Sequence, residues 1–379
     1  MKVLVAPLDW GLGHATRCVP LVQSMLQLGW NITLAGEGPS LNILTKEFPE
    51  LPTLNLKGYS IKYPKNGFWL IPNLLLQVPK IVQTIRSEKK WLEKAQKEHQ
   101  WDLIISDNRY GLSAPNATCI FMTHQLWVLS GWGNPIDKIL NKQLHNWTKS
   151  FDQCWIPDQE KDGGIAGLLS HPPFPTPLPT GRQASSPAYR QVYRTCLAGI
   201  FPIPIKYIGP LSRLRPNSEK EGNKILVLLS GPEPQRSLLE EKIIAQIKDI
   251  DEQFLVVRGL PTDTQQPSNS AHIEFKNHLS SDDLSAALSS AKLVICRSGY
   301  SSIMDLLRLK KKAILIPTPG QTEQLYLAKL LQEKNWFVVH QQHDFQLNTA
   351  IPFCLQKALV APALNFELHK QVLLELVTQ

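Results

Sequence analysis

Residues 293–330 read LVICRSGYSSIMDLLRLKKKAILIPTPGQTEQLYLAKL. Apolar strands are predicted at 293–296 and 313–316, and each runs into a polar turn, at 298–299 and 320–324, that opens a helix. At the start of a helix, unpaired N–H groups and the helix dipole favour an anion such as phosphate. In α/β proteins such sites lie at the carboxyl ends of the strands. The stretch therefore predicts an α/β fold with a ligand site after these two strands.

The N-terminal residues show the same order of elements. Residues 2–7 are a short apolar run, which predicts a buried parallel strand. A loop with Gly11 and Gly13 follows, then a helical period that begins at Cys18, and a second strand is predicted at 31–35. Strand, loop, helix and strand in this order predict a right-handed, parallel βαβ unit.

His14 is the residue of this loop that is best suited to chemistry. We expect its imidazole to face the crevice, where a group that titrates near neutral pH can accept a proton. Helix capping or a hydrogen bond to a loop carbonyl is the alternative. Asp107, Arg109 and His124 also follow predicted strands, so we expect them at the same edge of the sheet, with Asp107 orienting the imidazole of His14 or His124. A helix cap and a surface salt bridge are the alternatives for Asp107 and Arg109.

The chain divides by composition into two α/β halves. The last strand of the first half is predicted at 154–157, and the second half begins with a strand at 224–229. Between them, 171–204 is rich in proline and has no periodicity, as expected for a linker or insertion. We predict two Rossmann-like domains whose parallel sheets face each other across a deep cleft. The predicted bounds are 1–160 for the first domain, 161–222 for the linker, 223–360 for the second domain and 361–379 for a closing helix that packs back on the first.

The composition restricts the class of partner. The chain has 379 residues, a net charge of +8 and a pI near 9.1, which favours an anionic ligand or surface. We expect no nucleic-acid partner, because no RNA-binding signature, zinc-finger spacing or long basic tract occurs. The six cysteines are scattered without a Cys-x-x-Cys pair, which predicts a reducing, cytoplasmic location and no metal site. The N-terminus enters a strand directly, unlike a signal peptide.

Residues 59–98 combine apolar and basic side chains. The apolar run 67–79 is too short and too interrupted by proline to cross a bilayer, which takes roughly 20 residues. The helical part after it has an apolar side and a basic side. We expect either peripheral contact with the anionic inner face of the cell membrane or an ordinary surface helix that covers the sheet.

Three motifs resemble those of one enzyme family. They are WGLGHATRCVPLVQSMLQLGWNITLAGEG (10–38), LLSGPEPQR (228–236), and SGYSSIMDLL with PTPGQTEQLYLAKLL (298–331). In this order they resemble the two glycine loops and the donor-sugar motif of the GT-B glycosyltransferases of family 28. The resemblance implies the GT-B fold, with an acceptor-side first domain and a second domain that binds a nucleotide-sugar donor.

The resemblance also implies roles for individual residues. His14 is the implied general base, and Gly11 and Gly13 let the backbone approach the diphosphate or the acceptor. Arg109 and His124 are expected on the acceptor side. Asp305 matches the acid that binds the ribose hydroxyls, where the family has the longer Glu. Arg236 is expected to carry much of the diphosphate interaction, because two prolines remove N–H donors from its loop. The implied donor-binding residues are Ser230, Gly231, Arg236, Ser298, Gly299, Asp305, Gln321, Glu323 and Gln324, of which Glu323 and Gln324 read the sugar hydroxyls.

The predicted function is therefore inverting, metal-independent transfer of a sugar from a nucleotide donor to an acceptor hydroxyl. The reaction needs a base for the hydroxyl and positive potential on the leaving diphosphate. The family implies UDP as the nucleotide, and helix dipoles with basic residues in place of a metal, so we expect no cofactor. A nucleotide-sugar hydrolase or epimerase, and a nucleotide-binding protein without catalysis, are the alternatives. The acceptor stays open among lipid-linked sugars, lipopolysaccharide, glycans and small metabolites.

Overall fold

A computed structural model describes residues 1–59, 70–172, 201–216, 222–261, 263–360 and 362–377, with the backbone alone described at 70–75 and 134. Much of the Pro-rich segment and the apolar start of the 59–98 segment lie outside these residues. The chain forms two compact units. The first contains Met1–Ser60, Leu76–Leu211 and Leu364–Gln379, and the second contains Ser212–Ala363.

The first unit is built on a seven-stranded sheet in which every pairing is parallel. Its order is β3-β2-β1-β4-β5-β6-β7, so the direction of winding reverses between β1 and β4. That reversal is the point at which doubly wound sheets bind ligands. The strands are β1 (Lys2–Pro7), β2 (Asn31–Gly36), β3 (Thr53–Asn55), β4 (Leu103–Asp107), β5 (Thr118–Met122), β6 (Gln153–Ile156) and β7 (Ile205–Tyr207).

Helices of the first unit cover both faces of this sheet. Val3 and Val5 of β1 belong to an apolar cluster with the first two helices, whereas Leu4 and Ala6 belong to a second cluster that includes Leu92 of the third helix. This alternation follows from the two-residue repeat of a strand and identifies β1 as buried on both faces. The helices are α1 (Leu12–Gln27), α2 (Gly38–Glu47), α3 (Leu70–His99) and α4 (Asn134–Thr148).

The second unit repeats the arrangement with six parallel strands in the order β10-β9-β8-β11-β12-β13. Its winding reverses between β8 and β11. The strands are β8 (Lys224–Leu228), β9 (Gln253–Val257), β10 (Ile273–Lys276), β11 (Leu293–Cys296), β12 (Ala313–Leu315) and β13 (Val338–Val339). The helices are α5 (Gln235–Ile247), α6 (Ser281–Ser290), α7 (Tyr300–Arg308), α8 (Thr322–Glu333) and α9 (Leu347–Gln356). The two Rossmann-like parallel sheets predicted from the sequence are confirmed.

The closing helix, α10 (Leu368–Val377), belongs to the first unit. Val372 and Leu373 join the apolar cluster of β1 and α1, and Ser24 Oγ lies 2.9 Å from His369 Nε2. The chain therefore leaves the first unit, builds the second and returns.

Two expectations about the elements are corrected. The first helix starts at Leu12, about one and a half turns before Cys18, so the glycine loop ends earlier than its sequence indicates. The first sheet does not end at β6, because β7 pairs with it from within the predicted linker. Phe201 and Ile203, just before β7, are buried in the first unit's core. This strand is short and follows a run of prolines, so the sequence shows no strand pattern at this position.

Candidate active site

The loop between β1 and α1 turns on Gly11. Its φ of 84° and ψ of 168° are a combination that residues with a Cβ rarely adopt. Its N–H donates to the carbonyl oxygen of Asp9 at 2.9 Å. The chain thereby passes from β1 almost directly into α1, and Gly13 and His14 lie in the first turn of that helix.

His14 contacts Asp107, the last residue of β4. Its Nδ1 atom lies 3.1 Å from Oδ2 of Asp107. The side chain of His14 is 15% exposed and that of Asp107 is fully buried. Because β1 and β4 are neighbours where the winding reverses, the sheet itself brings the two residues together. The structure thus places the imidazole of His14 in contact with the carboxylate of Asp107, as the sequence analysis expected.

Burial and charge set the protonation of this pair. Burial, and then the positive charge of Arg17, lower the pKa of His14, while Asp107 acts in the opposite direction. Burial alone would raise the pKa of Asp107, but Arg17 and His14 lower it to about 2. At neutral pH the pair is therefore a neutral imidazole beside an ionised carboxylate, which is the state that a general base requires.

Arg17 is the centre of this cluster, and the sequence analysis missed it. Its Nε donates to Asp107 Oδ2 at 2.8 Å, and its Nη2 forms an ion pair with Oδ1 of the same carboxylate. Nη2 also lies 2.9 Å from His14 Nδ1. A helix that starts at Cys18 leaves Arg17 in a loop, whereas in the observed helix it stands one turn after His14. That three-residue spacing is the signal that could have found it.

His124 lies at the same edge, two residues after β5. Its side chain is buried, and its Nδ1 lies 2.8 Å from Nη1 of Arg17. The guanidinium therefore contacts His14, Asp107 and His124 at once.

The predicted acceptor-side role of Arg109 is corrected. Its guanidinium is fully buried, with Nε donating to the carbonyl oxygen of Pro7 and Nη1 paired with Glu88 of α3 at 2.9 Å. The Glu88 carboxylate also accepts from Gly111 N and Tyr59 Oη. Arg109 therefore points into the interior, where its ion pair with Glu88 holds α3 to the sheet.

Three loops of the second unit meet at the carboxyl edge of its sheet. Ser230 and Gly231 follow β8, and Gly231 has a φ of 105° that favours glycine. A Cβ at Gly231 would lie 3.8 Å from Oγ1 of Thr318, in the loop after β12. Ser298 and Gly299 follow β11, the strand between them. The implied donor residues of both motifs are therefore neighbours, as the strand order requires.

Gln324 ties two of these loops together from the first turn of α8. Its Oε1 accepts from the Thr318 backbone N–H at 2.9 Å, and its carbonyl oxygen accepts from Ser298 Oγ at 2.9 Å. Its side chain is buried. The bond to Oε1 orients the amide, and Nε2 is its hydrogen-bond donor. Glu323 lies beside it in the same turn of α8.

Arg236, the predicted diphosphate residue, has partners within the protein for each of its guanidinium nitrogens. Its Nε donates to Glu233 and its Nη1 to Glu240, both at 2.6 Å, and its Nη2 donates to Ser237 Oγ. Glu240 also accepts from Arg258 Nε at 2.5 Å. The guanidinium is buried in this network. Its charge is neutralised and its donors are engaged, so it offers little to a phosphate.

Asp305 lies within α7 and accepts a hydrogen bond from Ser212 Oγ at 2.6 Å. Burial raises its pKa to about 6, against the opposing effects of Arg213 and the Ser212 hydrogen bond. The carboxyl is therefore held by the chain that enters the second unit.

Arg297, directly before Ser298, is a second residue that the sequence analysis missed. It is buried, its Nη2 donates to the Gln235 carbonyl oxygen at 2.6 Å, and its Nη1 donates to the carbonyl oxygens of Ile316 and Pro317. Within the described part of the chain its Nε has no partner and no carboxylate pairs with it. Burial lowers its pKa to about 10, so it stays charged at neutral pH.

Two more buried polar atoms, in the loop between β12 and α8, lack a partner among the described residues. They are Oγ1 of Thr318 and Oε1 of Gln321, the residue that precedes α8. Buried polar atoms without a hydrogen bond are costly and uncommon in native proteins. A polar ligand at the edge of the second sheet would satisfy them.

The search for metal-binding clusters gives none in the described residues, where no three His, Cys, Asp or Glu side chains are placed to hold an ion. Five cysteines in this part of the chain are buried and free.

Solved glycosyltransferase structures share the fold over nearly the whole chain. The spinosyn rhamnosyltransferase SpnG has a TM-score of 0.58 at 14% identity, covering 100% of this chain and 96% of its own. CalG4, the calicheamicin glycosyltransferase, has 0.58 at 11%, covering 94% and 90%. SnogD from Streptomyces nogalater has 0.51 at 12%, covering 100% and 94%. At these identities the likeness establishes the fold. No curated protein matches the sequence.

The second unit also matches a family by sequence. Residues 234–371 correspond to the glycosyltransferase family 28 C-terminal domain. The second part of the chain is therefore similar to family 28, and the whole chain has the GT-B fold. The matched residues include the loops after β11 and β12, whereas Ser230 and Gly231 precede the match. The GT-B fold that the three motifs implied is confirmed, and the resemblance to family 28 is confirmed over residues 234–371.

Proposed function

We propose that this glycosyltransferase transfers a sugar from a nucleoside diphosphate donor to an acceptor hydroxyl, with His14 as general base and inversion at the anomeric carbon. The contact of His14 Nδ1 with Asp107 Oδ2 supports this proposal most directly. It leaves the opposite nitrogen, Nε2, to face a substrate, and the lowered pKa keeps that nitrogen able to accept a proton.

In the proposed reaction, Nε2 of His14 takes the proton of the acceptor hydroxyl while its oxygen attacks the anomeric carbon. The bond from that carbon to the diphosphate oxygen breaks, and the diphosphate leaves with the electron pair. Asp107 stabilises the imidazolium that forms, because its carboxylate is ionised and hydrogen-bonded to Nδ1. A single displacement of this kind inverts the configuration.

The donor is proposed to bind at the carboxyl edge of the second sheet. The starts of α5, α7 and α8 meet there, and helix N-termini favour phosphate. Arg297 adds a positive charge that no described carboxylate cancels, and Thr318 and Gln321 present polar atoms that need partners. Asp305 is proposed for the ribose hydroxyls. We propose no metal and no other cofactor.

The nucleotide is proposed to be UDP or TDP. The family resemblance favours UDP, and one of the SpnG structures contains thymidine diphosphate. Thermal shift assays with a panel of nucleotide sugars test the donor directly, since a ligand that binds the native state raises its melting temperature. We expect one nucleoside diphosphate and its sugar derivatives to raise the melting temperature, and the free nucleobase to leave it unchanged. The absence of any shift at millimolar concentrations would contradict the donor site.

The acceptor is proposed to be a lipid-linked sugar or a glycan, reached by peripheral contact of 59–98 with the inner face of the cell membrane. In α3, Leu76 is 81% exposed and Val78 is 38% exposed, and Lys89 and Lys90 of the same helix are also exposed. Apolar and basic side chains together bind anionic bilayers. In the described residues no helix is both long and apolar enough to cross a membrane. Sedimentation with vesicles that do or do not contain anionic lipid tests the contact.

Replacing His14 by Ala tests the base. We expect transfer to fall by about 10²-fold or more, the scale of general acid–base catalysis, while nucleotide affinity by calorimetry stays within about twofold. Lys46→Met, at an exposed site on α2, is the control for purification and folding. Equal turnover in the His14 variant and the wild type would remove His14 from the mechanism.

A further inference from the structure

Three neighbouring strands of the second unit, β11, β12 and β13, continue beyond their apolar residues into polar side chains. The apolar cluster that these strands share with α5 and α9 includes Ile295, Ile316 and Val338. Arg297, Thr318 and His340 each stand two positions further along the chain. Because side chains of an extended chain alternate between its two faces, these three residues lie over the apolar cluster at the carboxyl edge of the sheet. We refer to them as the polar layer.

Contacts of Arg297 and His340 support this arrangement. Nη2 of Arg297 donates to the carbonyl oxygen of Gln235, the first residue of α5, at 2.6 Å. The ring of His340 lies 5.7 Å, centre to centre, from that of Phe345, a member of the same apolar cluster. Two residues after His340, Nε2 of Gln342 donates to Oε1 of Gln235 at 3.3 Å. Both ends of the polar layer therefore meet the start of α5.

The middle of the polar layer faces a glycine. Gly231 follows Leu229 of the same apolar cluster by two positions, and a Cβ at Gly231 would lie 3.8 Å from Oγ1 of Thr318. Apart from the chain neighbours of Gly231, that oxygen is the only atom of the described residues that such a Cβ would have within 4 Å. The layer therefore has open space beside Thr318.

Each residue of the polar layer has a buried polar atom without a hydrogen-bond partner in the described part of the chain. These atoms are Nε of Arg297, Oγ1 of Thr318 and Nε2 of His340. Oε1 of Gln321 and Oε1 of Gln342 are buried without a partner in the same way. Buried polar atoms rarely stay unsatisfied in native proteins, so this group of them at one edge of a sheet indicates a bound polar ligand.

The unsatisfied atoms differ in the chemical group that each can bind. The Oε1 atoms of Gln321 and Gln342 only accept hydrogen bonds, so they need an O–H or N–H partner, which the diphosphate of a nucleotide sugar does not offer. Burial lowers the pKa of His340, so its imidazole is neutral at pH 7 and has one donor and one acceptor nitrogen. Arg297 is charged and only donates, which suits a phosphate oxygen. The layer thus changes from a cationic end at β11 to a neutral end at β13 that suits hydroxyl groups.

The size of the polar layer fits a sugar attached to a diphosphate. Neighbouring strands lie about 4.8 Å apart, so β11 and β13 are separated by roughly 10 Å. A phosphate and the hexose bonded to it span a similar length. Thr318 and Gln321 come just before α8, whose first turn carries Glu323 and Gln324, the residues that the family motif implies for the sugar. The neutral part of the layer therefore adjoins the implied sugar site.

We propose that His340 and Gln342 bind hydroxyl groups of the donor sugar and help to determine which sugar is accepted, while Arg297 faces its diphosphate. The proposal rests on the proposed function for the nature of the donor. It assigns a role to the segment after β13, which lies outside the three sequence motifs. All of these residues belong to the second unit.

Binding of nucleotides with and without a sugar tests this role. The probes are UDP and TDP, each alone and as its glucose derivative, measured by isothermal calorimetry. We expect His340→Ala and Gln342→Ala each to weaken binding of the nucleotide sugar about fivefold, the scale of one neutral hydrogen bond. Binding of the nucleoside diphosphate should stay within about twofold, because it carries no donor sugar. That retained binding also shows that the variant is folded.

Two exposed residues of the same segment provide matched controls. Gln341→Ala and His343→Ala remove an amide and an imidazole that face solvent, and both variants should bind every probe like the wild type. Equal losses for the free and the sugar-bearing nucleotide overturn the proposal. No loss for either also overturns it, and would mean that buried water satisfies these atoms. If the wild type binds none of the probes, the proposed donor itself is wrong, and this proposal fails with it.

Discussion

At the residue scale, two arginines of the second unit differ in what surrounds their charge. Arg236 has Glu233 and Glu240 as partners, so its field is cancelled within a few ångströms. Among the described residues, Arg297 donates to carbonyl oxygens and to no carboxylate. Burying an unpaired cation is costly, and an anionic ligand offsets that cost. For the proposed donor site, we therefore expect Arg297 to supply the positive potential for a diphosphate.

Replacing Arg297 by Met should weaken nucleoside diphosphate binding about tenfold or more, since a charge-assisted bond contributes roughly 1.5–3 kcal/mol. Arg236→Met should change the affinity by less than about threefold, although it removes a cationic partner of Glu233 and Glu240 and lowers stability. Isothermal calorimetry on variants that keep the wild-type circular dichroism gives both values. The reverse order of effects would restore Arg236 as the phosphate residue.

Asp305 makes stability depend on pH in a defined direction. Its pKa of about 6 in the folded chain lies above the ordinary value of 3.8, so between these values the folded state holds a proton that the unfolded state has lost. Stability relative to Asp305→Asn should therefore fall as pH rises from about 4 to about 6, by up to roughly 3 kcal/mol. Urea unfolding of both proteins at the two pH values measures it. A constant difference would mean that the carboxyl is not buried.

The sequence could identify His14 and Asp107 because each directly follows a predicted strand. It could not identify Arg17 as part of the site, and it could not show that Arg236 is paired within the protein. Both conclusions depend on which carboxylate each arginine contacts in the folded chain. Arg17 finds Asp107 across the sheet, and Arg236 finds Glu240 one turn along its own helix. Their positions in the motifs do not distinguish these two arginines. They differ in their partners, because Asp107 contacts the proposed base His14 and Glu240 does not belong to the proposed site.

At the scale of elements, two helices of the first unit begin in the same way. Gly11 before α1 has φ 84° and ψ 168°, and Gly133 before α4 has φ 93° and ψ 171°. A Cβ at either position would have no atom within 4 Å. The backbone and the surroundings of the two glycines are therefore alike, and the difference lies in the helices that they start. The first turn of α1 carries His14, whereas α4 supplies no residue to the contacts of His14, Arg17 and Asp107.

This pair separates backbone strain from catalysis. Gly11→Ala and Gly133→Ala should each cost about 1–3 kcal/mol of stability, because both impose the same unfavourable φ and ψ on a Cβ. Only Gly11→Ala should also lower transfer, since it moves the first turn of α1 and His14 with it. Denaturant unfolding and initial rates measure the two effects. An equal loss of activity in both variants would assign it to stability alone.

The elements that the sequence predicted well are the central strands, such as β1 and β11, whose continuous apolar runs reflect burial on both faces. The elements it missed are short or partly exposed. β3 has three residues of which none is fully buried, and β7 follows a run of prolines. Such segments become strands because a neighbouring strand supplies their hydrogen bonds. The local sequence pattern does not show this pairing.

At the scale of the whole molecule, α10 should control the stability of the first unit. Leu373 is fully buried in the cluster with α1, while its neighbour Leu374 is 51% exposed. Leu373→Ala should cost about 2–5 kcal/mol, and Leu374→Ala should stay within about 0.5 kcal/mol. Amide hydrogen exchange locates the effect: β1 should exchange faster in the first variant and β8 should not change. Faster exchange in both sheets would mean that the units unfold together.

The return of the chain to its first unit affects the design of chimeras in which the two units come from different parent enzymes. A chimera joined once, near residue 211, would take the first unit from one parent and α10 from the other. Val372 and Leu373 would then have to fit the α1 surface of a foreign partner. Exchange of acceptor specificity between glycosyltransferases of this kind therefore calls for two junctions, with the last sixteen residues or so travelling with the N-terminal half.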